Sequence, residues 1–280
     1  MAEKSSYDGL LACARCGYIV PVIRGVPRFV SESVDAGFDE RWRRYPKFQA
    51  TTAGIFEEKT GFSKAMLGGK TVLDAGCGCG RFAAVAQGMG AKVIGVDGSA
   101  HALLAATENV SGAEFLQANI LALPLRDESV DHAFSIGVLH HTESTERAFK
   151  EVARTVRRGG SFAVWVYAKP ASDDRWLAPM EMLHEITRSV PPRVLSEIFA
   201  KWAPKIRDGY AGGWGALEQV LRVSSSRDAE ECASDTFDWH CPTYRWWHGA
   251  EEVKRWFIEA GFDVDRVGNF PTSVRGVRVR

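Results

Sequence analysis

The sequence predicts an α/β fold: a doubly wound, mostly parallel sheet of seven strands, with a helical insertion after the fifth strand. Three observations carry that expectation. Short apolar runs alternate with helical patterns between residues 70 and 167, as in βαβ units whose strands are buried on both faces. An apolar run ending in Asp74 leads through Gly76-Cys77-Gly78-Cys79-Gly80 into a helical stretch. The alternation breaks over residues 171–247 and then resumes with one helix and two closing strands. Right-handed crossovers would place helices on both faces of the sheet.

Taken in order, residues 1–30 read as short strands and turns, with β-branched residues punctuated by Gly and Pro. Residues 31–68 are polar and aromatic and read as helix, an N-terminal cap. Strands are expected at 70–74, 92–97, 114–118, 130–137 and 161–167. Helices are expected at 81–89, 100–109 and 145–156, the last stopped by Gly159-Gly160. Residues 171–247 hold six of the nine Trp (Trp176, Trp202, Trp214, Trp239, Trp246, Trp247) among helix formers. The core then resumes over 248–280 with a helix at 250–260 and strands at 262–267 and 274–279.

With 45% apolar and 25% charged residues in 280, the chain has globular rather than disordered composition. Lys+Arg and Asp+Glu each number 35, and zero net charge argues against a dominant nucleic-acid footprint. No apolar run reaches the roughly 18 residues of a membrane helix, and no basic stretch precedes an apolar signal core. A soluble, cytoplasmic protein without a membrane partner is expected. The six Cys do not form a disulfide pattern: two lie in the glycine turn, two in one CxxC, and two far away. Reduced thiols are the expectation.

The glycine turn carries the most chemistry. Glycine lets backbone approach a ligand closely, the following helix offers free N–H groups, and Asp97, ending the next strand, can take two ribose hydroxyls. This is nucleoside-binding geometry at the C-terminal edge of a parallel sheet. The dinucleotide fingerprint G-x-G-x-x-G/A fails at Arg81. The spacing here is G-x-G-x-G, which suits a ligand without a pyrophosphate. Asp74 would act through backbone or water.

Val72-Leu73-Asp74-Ala75-Gly76-Cys77-Gly78-Cys79-Gly80 resembles motif I of the class I S-adenosylmethionine (SAM)-dependent methyltransferases, a Rossmann-like fold. Four further segments follow in that family's order. Gly95–Ser99 resembles the ribose-binding loop, and Gln117–Leu125 the adenine-binding segment. Asp131–His141 resembles the fourth-strand motif, and Arg157–Ser161 the turn before strand five. The resemblance covers about residues 69–168 and 248–280. It implies SAM as cofactor and S-adenosylhomocysteine as product. Gly76, Gly78 and Gly80 would line the methionine end, Asp97 would bind ribose with Ser99 nearby, Asn119 and Ile120 would hold adenine, and Gly137 would lie near the sulfonium. The family usually has Asp where Asn119 stands. Ser99 serves equally well as a helix cap.

His140 and His141 follow strand four, where the family places substrate-facing groups. An imidazole there suits a base for a hydroxyl or phenol, or a structural bond to backbone. The Asn/Asp-Pro-Pro-Tyr/Phe motif of many N-methyltransferases is absent, so O-methylation is favoured over N or C. The 171–247 insertion, expected to cap a small-molecule substrate, carries nine Lys+Arg against twelve Asp+Glu. Tyr45 from the N-terminal cap, and His240, Tyr244 and Arg245 from the insertion, are the candidate substrate contacts. Trp42 and Gln49 are candidates to close over the cofactor. Cys13-Ala14-Arg15-Cys16 with Gly25–Phe29 resembles half of a zinc-ribbon-like segment that precedes some bacterial RNA and small-molecule methyltransferases. A structural zinc site needs four ligands, so a metal-free remnant packed on the core is expected. The alternatives are an RNA methyltransferase and a non-catalytic SAM-binding module.

Overall fold

The computed structural model describes residues 8–47, 52–170, 174–210, 220–270 and 272–280. Gln49 and Trp214 lie outside them. The elements run β1 (Gly9–Ala12), β2 (Ile19–Ile23), β3 (Val26–Pro27), α1 (Ala36–Arg44), α2 (Thr52–Thr60), α3 (Lys64–Leu67), β4 (Thr71–Ala75), α4 (Arg81–Gly88), β5 (Lys92–Asp97), α5 (Ala100–Asn109), β6 (Glu114–Gln117) and β7 (Val130–Ile136). After a short 3-10 turn at Leu139–His141 come α6 (Thr145–Thr155), β8 (Val156–Trp165), α7 (Leu177–Arg188), α8 (Pro192–Tyr210), α9 (Ala229–His240), α10 (Ala250–Glu259), β9 (Phe262–Val267) and β10 (Ser273–Arg278).

The main sheet has seven strands in the order β6-β5-β4-β7-β8-β10-β9. The first five are parallel, and β10 runs antiparallel to both of its neighbours. Successive strand residues point to opposite faces, and each face meets its own core. Leu73, Ala133, Phe162 and Val164 pack with Phe149, Trp256 and Phe257 on one side. Val72, Phe134 and Ala163 pack with Phe56, Leu67 and Leu103 on the other. Burial on both faces explains the nearly continuous apolar strands.

One boundary differs from expectation. Gly159-Gly160 does not stop α6, which ends at Thr155; both glycines lie inside β8. The register with β7 shifts between Val130 and His132, which pair with Val156 and Ser161. The chain therefore bulges at Gly160, where a Cβ would overlap the carbonyl oxygen of Asp131. Here the glycine signal marks a close backbone approach within a strand.

The N-terminal three-stranded antiparallel sheet docks on the edge strand β6. Phe29 N–H donates to Gln117 O at 2.8 Å, and Arg28 Nη1 donates to Gln117 Oε1 at 2.8 Å. Val26 enters the main core, so the edge is covered rather than open to pairing.

Helix α1 and the insertion meet to form one roof. Asp35 caps α1 by accepting from Gly37 N and Phe38 N. Arg41 pairs with Asp238 of α9 at 2.6 Å. Ser196 Oγ of α8 donates to Glu40 Oε1 at 2.9 Å. Leu195, Phe237 and Cys241 form the roof's own small core.

Candidate active site

The C-terminal ends of β4, β5 and β7 open under this roof into a cavity of about 1150 Å³. Its floor is the turn after β4. Gly76 N–H and Cys77 N–H both donate to Val96 O, at 2.7 and 3.0 Å, which ties the turn to β5. Gly78 has φ +52°, and a Cβ there would overlap Trp42 Cζ2 of α1. Only glycine lets the backbone turn left-handed while the indole lies across it.

Asp97 closes the turn. Its Oδ2 accepts from Gly78 N–H and its Oδ1 from Ser99 N–H, each at 2.8 Å. Burial pushes its pKa up, while these backbone donors pull it back. Gly76, Gly78, Asp97, Ser99, Asn119, Ile120 and Gly137 all line the cavity. Asn119 Oδ1 accepts from Leu121 N–H at 2.9 Å, which fixes its amide plane at the wall. Ser99 is a cap as well as a wall residue: its Oγ accepts from Ala102 N–H and donates to Asp39 Oδ1 at 2.6 Å.

Two cofactor candidates stand back from the wall. Asp74 is buried beneath the turn with Oδ2 unpartnered among the described residues. Burial first, and Asp97 second, raise its pKa well above the usual carboxylate range. Gly80 begins α4 behind Cys79.

His141 reaches the cavity and His140 does not. Tyr244 O lies 2.9 Å from His141 Nδ1 and can only accept, so Nδ1 carries the proton and Nε2 is the basic atom. Burial lowers the pKa of His141 to about 4. His140 is fully buried, its ring tilted against that of Tyr167 with centroids 3.9 Å apart, and among the described residues neither ring nitrogen is hydrogen-bonded. Of the two candidate bases, His141 lies at the cavity wall and His140 is set back from it, a correction for His140.

The substrate candidates divide similarly. Tyr45 and Tyr244 line the cavity. Arg245 is committed elsewhere: Nη1 donates to Trp239 O and Nη2 pairs with Glu181 Oε1, each at 3.1 Å. His240 Nε2 donates to Leu221 O at 2.6 Å. Both border a separate void of only about 10 Å³ under Tyr167. Their polar groups are committed to partners within the insertion rather than to the cavity, which corrects the expectation that they contact substrate.

The sequence reading missed Lys59. It lines the cavity from α2 with its ammonium 3.2 Å from the ring centre of Trp165. Trp165 borders Gly137, where a Cβ would stand 3.2 Å from the indole. Burial, reinforced by Arg81, lowers the pKa of Lys59 to about 7. A lone Lys in a helical stretch carries no sequence signal. Its partner ring is 106 positions away in the chain.

Among the described residues, no group of three or more His, Cys, Asp or Glu could hold a metal ion. Cys13 and Cys16 are exposed and free. No helix there is long and apolar enough to cross a membrane.

Residues 73–164 match a family described as a methyltransferase domain. A tRNA (carboxymethyluridine(34)-5-O)-methyltransferase of Arabidopsis thaliana is 34% identical over 131 residues, 46% of this chain and 31% of that protein. A malonyl-[acyl-carrier protein] O-methyltransferase of Pseudescherichia vulneris is 31% identical over 148 residues, 52% of this chain and 55% of that protein. An uncharacterized methyltransferase of Mycobacterium sp. (strain JLS) is 28% identical, over 68% of this chain and 73% of that protein. The chain spans 30–42% of the length of the first three curated relatives. In fold it is similar to the magnesium protoporphyrin IX methyltransferase of Synechocystis PCC 6803, solved with bound S-adenosylhomocysteine: TM-score 0.50, 16% identity, 86% of this chain and 94% of that chain.

Proposed function

We propose that this chain is a class I S-adenosylmethionine-dependent methyltransferase, a reading supported by the methyltransferase-domain match over residues 73–164, and that it methylates an oxygen of a small-molecule acceptor. The observation that carries this reading is the single cavity that joins the glycine turn and Asp97 to His141. Its volume of about 1150 Å³ exceeds the roughly 300–1,000 Å³ of a usual ligand pocket, room for a cofactor and a compact acceptor together. Two relatives are O-methyltransferases by name, which supports oxygen as the acceptor atom.

The residues fit the cofactor. The Gly76–Gly80 turn is a cradle that side chains would fill, and Asp97 offers a carboxylate at the ribose position. Asn119 and Ile120 form the adenine wall. Trp42 and Tyr45 present aromatic surface to a cation. SAM, when bound, supplies an activated methyl group. The chain's contribution is then positioning, which is worth roughly 7–11 kcal/mol when geometry is well held. His141, neutral with Nε2 unprotonated, is placed to accept a proton from the acceptor hydroxyl. Its low basicity limits that contribution to the lower part of the usual range of about 10²–10⁴-fold.

Calorimetry with S-adenosylhomocysteine tests the cofactor, and transfer of labelled methyl groups to a small-molecule panel and to bulk tRNA tests the acceptor. Labelled tRNA with unlabelled small molecules would favour the second reading, RNA methylation, which the Arabidopsis relative motivates. Binding with no transfer to either would favour a non-catalytic SAM-binding module.

A further inference from the structure

We propose that the acceptor carries a carboxylate and that Lys59 holds it against the face of Trp165. The inference rests on the methyltransferase reading of the same cavity and names the class of molecule the cavity takes.

Lys59 is a cation in search of a partner. The cavity's other cations are accommodated. Arg41 pairs with Asp238, Arg81 Nε donates to Thr52 Oγ1 at 3.1 Å and feels Asp235 and Glu231, and Lys47 is exposed to solvent. No carboxylate among the described residues pairs with Lys59. Its ammonium instead lies on Trp165, with the ring of Phe270 5.1 Å away. Aromatic faces attract a cation but do not supply the counter-charge that a largely buried ammonium needs.

Several carboxylates of the cavity are engaged elsewhere. Asp228 caps α9, Glu231 accepts from Ser226, and Asp235 accepts from Ser224. The charges that bear on Lys59 are Arg81 from α4 and Glu58 from its own helix. The surrounding groups from β8 and the turn after β7 are Trp165 and neutral His140. Arg266 and Arg275, from the strands beside α2, hold Glu58 O and Asp265 respectively. An anion entering from the cavity would meet one underused positive charge, next to flat apolar walls at Trp165 and Tyr167. A carboxylate on an aromatic or alkyl body has that shape.

The test is direct observation of Lys59. Lysines of the full chain are ¹³C-methylated reductively, and the Lys59 resonance is assigned by its loss in Lys59→Arg. It is then titrated with S-adenosylhomocysteine present. The probes are benzoate, phenylacetate and hexanoate, each beside its primary amide. The expected result is a midpoint near neutrality that rises by one unit or more with at least one acid and with none of the amides. Lys59→Met should weaken binding of that acid at least tenfold by calorimetry, with Lys59→Arg closer to wild type. A midpoint that none of the acids moves, or that amides move equally, overturns the proposal. If S-adenosylhomocysteine itself fails to bind, the methyltransferase reading fails instead, so the two failures are distinguishable.

Discussion

Asp97 Oδ2 accepts a hydrogen bond from Gly78 N–H at 2.8 Å, joining the end of β5 to the middle of the glycine turn. The bond braces the cofactor cradle and aims the carboxylate into the cavity. Asp97→Asn keeps the shape but removes the charge. It also risks placing an amide N–H against the Gly78 donor. A charge-assisted hydrogen bond contributes about 1.5–3 kcal/mol. S-adenosylhomocysteine affinity is therefore expected to fall roughly 10- to 100-fold by calorimetry. Unchanged affinity would remove Asp97 from the site.

Gly78→Ala adds a methyl group where Trp42 already lies, on a backbone at φ +52°. The conformational strain is about 1–2 kcal/mol, and the indole must also move. The variant should melt lower and bind S-adenosylhomocysteine more weakly. A double variant with Trp42→Ala should recover part of the stability lost to crowding, because the clashing ring is gone.

His140 is held neutral by burial, its pKa well below the ordinary value near 6.5. The unfolded chain therefore binds a proton that the folded chain refuses as pH falls below about 6.5. The stability associated with neutral His140 is present above that pH and is lost as acid is added. His140→Phe keeps a ring against Tyr167 and removes the titration. The stability difference should shift in the variant's favour by up to about 1.4 kcal/mol per pH unit below 6.5. Urea unfolding at pH 7.5, 6 and 5 measures it; parallel curves for the two proteins would contradict the assignment.

Arg245 ties α9 to α7 through Trp239 O and Glu181. Arg245→Ala should destabilise the fold by about 1.5–3 kcal/mol, the usual contribution of hydrogen bonds to a charged group, here a buried guanidinium. Methyl transfer per folded molecule should change little. A raised KM at unchanged melting temperature would restore Arg245 to the substrate site.

Much of the architecture was legible because it rests on local patterning. The apolar strand runs, the turn at Gly76–Gly80 and the acid at Asp97 each satisfy a requirement visible within a few residues. The closing strands at 262–267 and 273–278 were readable for the same reason. Gly159-Gly160 misled because a glycine pair marks helix ends and close strand approaches alike. The β8 bulge is decided by the Asp131 carbonyl on a neighbouring strand.

The amino-acid order by itself determined the sheet, the cofactor turn and the separation of core from insertion, since periodicity and glycine chemistry act over short stretches. Only the tertiary structure decided which side chains face the cavity. His141 and His140 are adjacent in sequence, yet one lines the cavity and the other is fully enclosed. Arg245 and His240 turn inward to tie the roof together, while Lys59 emerges beside Trp165. Those outcomes depend on the rotation of each helix and on burial by distant residues, and both are set by packing between segments rather than within them.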